Sequence, residues 1–339
     1  MLLAHDDSYH GQLTPLDDAF HPATNDRFFH ETAWFWWFIP EEKIGGWMYH
    51  WIRPNIGTSG GGVWVWDSST YSHFEVPYYL CYANQPLDPD DDLRDHTYAS
   101  GARVECTKPL SNYRLTFRDR DVIDLDLSFE AALPPWAGKL VTDTSGHNPH
   151  IEHIDQLGRV TGSMQLHGTQ YVVDCLAIRD RTWATRSEKW KHGHVGYSNA
   201  ASSEGGVAFL AHASVQTRDE SVEHVNSGYF VRDGRRAAIV AGSRTLERNS
   251  THGYLERITV VATDSFGRTF EAIGTSVSRM AMPIPGVHGV VWTSLVDWTI
   301  DGVQAWGEDQ DAWPIQSWSE FRRSINHHAT NASRSPYEQ

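Results

Sequence analysis

A chain of 339 residues exceeds the roughly 100–200 residues of an ordinary domain and divides best into two packed units, each able to bury its own core. Its 28 basic against 43 acidic residues give a formal net charge of -15, which favours solubility and sets nucleic acid aside as a partner. Three widely spaced cysteines, Cys81, Cys106 and Cys175, argue against a disulfide framework, so a reducing, cytoplasmic setting is expected.

At the N-terminus, His5, Asp6 and Asp7 interrupt Met1–Ala4 before any apolar export segment develops. No stretch approaches the ~20 apolar residues of a membrane span, and the sequon matches at Asn249 and Asn331 read as chance. Fifteen tryptophans point to sheet faces and to a roomy aromatic pocket, because extended strands and apolar clefts take indole readily.

In chain order, Glu31–Ile39 and Trp47–Arg53 read as an aromatic hairpin turning at Pro40–Gly46. Val63–Asp67 and Tyr71–Tyr82 follow as strands, and Pro77 marks the second as an edge or a bulge. Asp88–Asp95 is an acidic loop that lacks the Gly and Glu positions of a calcium loop. Arg103–Thr107, Tyr113–Arg118 and Val122–Ala131 continue the strands, and Ile123, Leu125, Leu127 and Phe129 alternate with polar residues. His147, His150 and His153 recur every third residue, but Gly146, Asn148 and Pro149 exclude a helix there, so no metal site is assigned.

Arg159–His167 and Tyr171–Asp180 are strands joined through Gly168. Two-residue alternation then puts Ile178, Asp180 and Thr182 on one face and Arg179, Arg181 and Trp183 on the other. The second half repeats the pattern over His192–Asn199, Gly206–Gln216, Gly228–Arg232, Arg235–Leu246, Tyr254–Thr263, Thr269–Met280 and Val290–Ile300. Asp233-Gly234 is a hairpin dipeptide. His192 and His194 could chelate a metal, yet no third ligand of clear spacing accompanies them. A helix is expected over Ser317–Asn326, with Ser317 as cap and Glu320 completing a capping box.

The expected fold is all-β: two consecutive antiparallel lipocalin-like barrels or sandwiches and a short C-terminal helix. The units span 1–185 and 186–328, and 329–339 form a disordered tail.

Several stretches together resemble the two-domain, lipocalin-like family that includes carotenoid 1,2-hydratase (hydroxyneurosporene synthase) and AttH-like proteins. They are Glu31-Thr-Ala-Trp34, Arg53-Pro-Asn-x-Gly57, His153-Ile-Asp155-Gln156-x-Gly158-Arg159-Val-Thr-Gly162, and above all Ile178-Arg179-Asp180-Arg181-Thr-Trp183-Ala-Thr-Arg186. The second half adds Gly302-x4-Gly307-Glu308. The family string usually carries His after the Asp; here Arg181 stands in that place.

The resemblance implies a cofactor-independent enzyme, a lyase or isomerase, that protonates a C=C bond of a hydrophobic isoprenoid, steroid or aromatic substrate and then hydrates, cyclises or isomerises it. Such a step needs a carboxylic acid kept neutral by burial and an aromatic face for the cation. Asp180 and Glu31 are the candidate acids, with Glu308 in reserve, and His153 or Tyr197 would deliver or orient water. Trp34, Trp36, Trp183 and Arg181 would line the substrate. A lipid or isoprenoid carrier and a carbohydrate-binding β-protein are the alternatives. No cofactor, metal or nucleotide is implied, nor a membrane span, and a monomer or homodimer is expected.

Overall fold

The computed structural model describes residues 13–21, 25–88, 92–137, 153–186, 193–215, 222–284 and 288–333. Ten strands build the first unit: β1 (Phe29–Ile39), β2 (Ile44–Arg53), β3 (Thr58–Trp66), β4 (Tyr78–Pro86), β5 (Asp95–Thr97), β6 (Arg103–Lys108), β7 (Asn112–Asp119), β8 (Ile123–Ala131), β9 (His153–Leu166) and β10 (Thr169–Thr185). They lie in the order β4-β3-β2-β1-β10-β9-β8-β7-β6-β5, so β4, with Pro77 just ahead of it, is an edge. The sheet curls on itself: Phe35 of β1 meets Tyr113 of β7 at 5.5 Å and Phe129 of β8 at 6.0 Å, although other strands separate them. The first unit is thus an open half-barrel, where the sequence left barrel or sandwich undecided.

The second unit is a closed barrel of eight antiparallel strands. These are β11 (Val195–Ala201), β12 (Val207–Ser214), β13 (Val222–Arg232), β14 (Arg235–Arg248), β15 (Leu255–Asp264), β16 (Thr269–Pro283), β17 (Gly289–Ile300) and β18 (Val303–Pro314). Tight turns at His167-Gly168 and Asp233-Gly234 have positive φ at both positions, as two-residue hairpins require. Helix α1 (Ile315–Ser333) begins two residues before the expected Ser cap and runs into the stretch read as a disordered tail. His147, His150 and His192 lie outside the described residues.

The sequence reading passed over β18. Its run Gly307-Glu-Asp-Gln-Asp311 looks like a solvated loop, yet Glu308, Asp309 and Asp311 are fully buried. Paired with both β17 and β11, this strand closes the barrel. Inside the barrel Arg244 bonds Asp309 at 2.7 and 2.9 Å and Glu223 at 2.5 Å, while Ser198 donates to Asp309 at 2.6 Å. Buried charges of this kind persist only when paired.

The two units meet wall to wall. Directly opposed residues of an antiparallel pair share a face, so Trp34, Trp36, Trp47, Tyr49, Trp64 and Asp180 lie on the outer face of the half-barrel. Their rings pack edge to face, Trp34 on Trp47 at 5.5 Å and Trp47 on Trp64 at 5.9 Å. One apolar core runs from this wall into Leu210, Tyr229, Met280 and Leu295 of the barrel. The tryptophans therefore cement the junction. A roomy aromatic pocket is not formed among the described residues: a cavity of about 10 Å³, room for one water, lies inside the half-barrel beside Asp18 and Arg179.

A single carboxyl ties the walls together. Glu308 Oε1 accepts from Trp47 Nε1 of the first unit at 2.6 Å and from Thr293 Oγ1 at 2.5 Å, and Gln310 Nε2 donates to Oε2 at 3.1 Å. Burial pushes this carboxyl up to about 8 against those three donors. A folded-state pKa above the unfolded one means the native state holds the extra proton, so stability falls as pH rises from about 4.5 to 8. Glu308→Gln should remove that fall: urea melts at pH 5 should nearly match wild type, and at pH 8 the variant should be the more stable, by a few kcal/mol at order of magnitude.

At Gly307, a Cβ would meet Asn199 O at 1.8 Å and Ala200 Cα at 2.6 Å, both backbone atoms of the strand that closes the barrel. Gly307→Ala is expected to cost about 1–3 kcal/mol in the same melts.

Candidate active site at the junction

Strand β10 positions the site. Asp180 lies opposite Trp34 of β1 and opposite Asp155 of β9. One step along, Thr182 lies opposite His153. These side chains face the barrel, whose strands β11 and β12 bring Tyr197 and His212, themselves a directly paired couple.

Asp155 is the hub. It is fully buried, and Oδ1 accepts from the Tyr197 hydroxyl at 2.7 Å. Oδ2 lies 3.0 Å from His153 Nε2 and 3.4 Å from His212 Nε2. Burial raises a carboxyl, but the two imidazoles and their hydrogen bonds outweigh it and hold Asp155 well below the usual carboxylate range. Burial depresses His153 in turn, yet the Asp155 charge leaves it raised, and its Nδ1 shares a hydrogen bond with Thr182 Oγ1 at 2.8 Å. Burial first, then the Asp155 charge, keeps the Tyr197 phenol well above its ordinary value.

Asp180 is treated differently. Its Oδ1 is shut off from water and has no hydrogen-bond partner. Burial pushes its pKa up to about 6, against the pull of His153, Arg186 and Arg181 and with the help of Asp155. Two carboxyls side by side are thereby split, one ionised throughout and one whose pKa of about 6 keeps a protonated fraction of about a tenth at pH 7. Trp34 closes the site, edge-on to Tyr197 at 6.0 Å, and Trp136 stands edge-on to His212 at 6.1 Å. Asp180, Tyr49, Tyr197, His212 and Arg186 are half-buried and mark the side open to solvent.

Of the residues singled out from sequence, Asp180, His153, Tyr197 and Trp34 come together here, and Trp36 lies on the same wall. Glu31, Arg181 and Trp183 do not. They project to the opposite, concave face, where Arg181 Nη2 bonds Glu31 at 2.8 Å and His21 stacks on Trp183 at 3.9 Å. The sequence reading did not assign roles to Asp155, His212 or Thr182. The i, i+2 spacing of His153 and Asp155 on one strand was the available signal for the first.

Two groups have a spacing that could hold a cation: His153, Asp155 and His212, and inside the barrel His194, Glu223 and Asp311. In the first, Tyr197 and His153 already bond both Asp155 oxygens. In the second, Arg244 and Arg248 pair with Glu223 and Asp311. Neither arrangement calls for an ion to account for it.

Several solved structures share this architecture. A putative AttH from Nitrosomonas europaea is 16% identical, with 86% of this chain and 94% of that one covered and a TM-score of 0.52. Kievitone hydratase from Nectria haematococca is 12% identical over 84% and 88% of the two chains, TM-score 0.52. CghA with Sch210972 is 12% identical over 85% and 89%, TM-score 0.52. At these identities the likeness is one of fold, and it agrees with the fold that the sequence resemblance implies. No curated protein matches the chain. The model of the domain of unknown function DUF7064 matches residues 14–314, and the chain belongs to that family.

Proposed function

We propose that the junction site is that of a hydratase, cyclase or isomerase that protonates a C=C bond of a hydrophobic substrate, with Asp180 as the acid. The observation that carries this reading is the opposed pair: Asp155 ionised by three partners, and Asp180 buried at Oδ1 without one. A carboxyl oxygen buried without a partner costs stability. In the hydration form, the Asp180 proton goes to one alkene carbon, and the cation forms at the other beside the Trp34 ring, which attracts it by about 0.5–2 kcal/mol. Water adds to that carbon and gives up its proton to the Asp180 carboxylate, the more basic of the two, which resets the acid. The hydratase name of one structural relative favours hydration over the other outcomes.

A carrier has less support. Among the described residues the half-barrel cavity holds about one water, and the barrel interior is filled by its ion cluster and by an apolar core that includes Phe209, Phe230, Phe270 and Trp298. A sugar-binding reading needs tryptophans presented to solvent, and no described tryptophan is among the exposed large apolar side chains.

Terpenoid, steroid and aromatic alkenes incubated in H2(18)O should reveal a product carrying one ¹⁸O if the enzyme hydrates, or an isomer of unchanged mass if it cyclises. Asp180→Asn should fold normally by circular dichroism and lose about 10²–10⁴ in kcat/KM. Full activity in that variant removes Asp180 from the mechanism. Because the acid form is required, kcat/KM should be level below the Asp180 pKa of about 6 and fall about tenfold per pH unit above it. A profile that rises with pH through that range would assign Asp180 the opposite role, a base.

A further inference from the structure

The concave side of the half-barrel has more hydrogen-bond donors than its occupant uses. A short strap, Leu13–His21, crosses its mouth and sends Asp18 inward. The Asp18 carboxylate accepts from Tyr113 Oη at 2.7 Å and Leu110 N at 2.5 Å. Arg179 reaches it only through Nη1, at 3.4 Å. Arg179 itself is 1% exposed, and its Nη2 has no partner; nor does Nε of the buried Arg181 beside it. Both arginines line the small cavity next to Asp18, together with Phe35, Leu93, Tyr98 and Val104.

We propose that this pocket recognises a small apolar monocarboxylate, with Arg179 and Tyr113 as the carboxylate cradle and Asp18 as an internal occupant that such a ligand displaces. The chemistry is that of guanidinium forks. A carboxylate free to orient seats on both arms of an arginine, with two parallel N–H donors, whereas Asp18 is tethered and makes one long contact. The orphaned Nη2 is the second arm. The remaining lining is apolar and suits a short aliphatic or aromatic tail.

The strap is a short segment held at its C-terminal end, with Phe20 against the core and His21 stacked on Trp183. Its 3-10 turn rests on a Thr14–Asp17 capping box, and Leu16 projects into water at 68% exposure. Polar contacts hold much of it: Arg181 to the Asp18 and Ala19 carbonyls at 3.0 and 3.3 Å, and Glu31 to His21 N at 2.8 Å. The present space of about 10 Å³ admits no more than a water, so ligand entry and Asp18 departure are one event. The site is independent of the junction chemistry, since its residues lie on the opposite face of β10.

The test uses the full chain and two probes, hexanoate and benzoate, with hexanol and benzyl alcohol as neutral counterparts, read by calorimetry and by hydrogen exchange of residues 14–21. The acids should bind saturably at one per chain and speed exchange in the strap, and the alcohols should do neither. Asp18→Asn should tighten binding by about tenfold or more, because a competing internal occupant divides the intrinsic affinity by the fraction of open sites. Arg179→Met should abolish it. If Asp18→Asn does not fold, Thr14→Ala loosens the cap while leaving the cradle intact and should shift affinity the same way. Absence of saturable binding to the wild-type chain, equal binding of acid and alcohol, or unchanged affinity in the loosened strap would each overturn the proposal.

Discussion

Two carboxyl groups placed opposite each other across an antiparallel strand pair cannot both ionise at little cost. At about 5 Å and an effective dielectric of about 20, their repulsion is about 3 kcal/mol. Asp155 and Asp180 stand in this relation on β9 and β10. The protein resolves the conflict by unequal treatment: His153, His212 and Tyr197 all attend Asp155, and at Asp180 burial outweighs the pull of His153 and the arginines. The acid–base character of the junction thus comes from pairing register before it comes from any single residue. A slip of one position would exchange the faces of β10 and present Arg179 and Arg181 to the barrel in place of Asp180 and Thr182.

The same alternation sorts the rest of the molecule. Odd-numbered residues of β10 face the concave side, where Arg179 and Arg181 meet Asp18 and Glu31. Even-numbered ones point outward, to solvent at Val172 and Asp174 and to the second unit at Asp180 and Thr182. The barrel sorts its own polar groups in a similar way: Asp309 of β18 turns inward to Arg244 and Ser198, while Glu308 turns outward to Trp47. The barrel interior is filled by charge pairs and an apolar core, and the half-barrel interior by apolar side chains such as Phe35, Leu127 and Phe129 beneath its strap. The boundary between the units is left as the place for chemistry.

Much of this was legible in the sequence. Strand alternation over Ile178–Trp183, the hairpin at Asp233-Gly234 and the edge at Pro77 are local signals, and the structure follows them. Parity alone separates Glu31 from Trp34 on β1 and Trp183 from Asp180 on β10, since residues an odd number apart on one strand face opposite ways. Closeness in sequence hid that. Other features were out of reach: β18 carries three buried acids whose partners, Arg244, Arg248 and Trp47, lie far away along the chain, so hydropathy reads the strand as a loop. His212 sits in Ala211-His-Ala213, an apolar strand where a histidine looks like an ordinary core residue. Only the docking of β12 against β9 gives it Asp155 as a neighbour.

That dependence has a physical consequence for the acid. Tyr197 and His212 belong to the second unit, so Asp155 has its full set of partners only while the units are docked. The same packing excludes water from Asp180 Oδ1. If the walls part, Asp180 is solvated and returns toward an ordinary carboxylic acid, while Asp155 loses two of the groups that hold it ionised. The split between the two carboxyls collapses from both sides at once. The tryptophan wall therefore does more than join two domains: by covering Oδ1 of one aspartate and delivering partners to the other, it creates the pKa difference that the proposed proton transfer would use. On the proposed reading a substrate would enter from the half-buried side, past Tyr49 and Arg186, without breaking that wall. This favours a flat or slender apolar molecule that replaces water at the rim over one that forces the units apart.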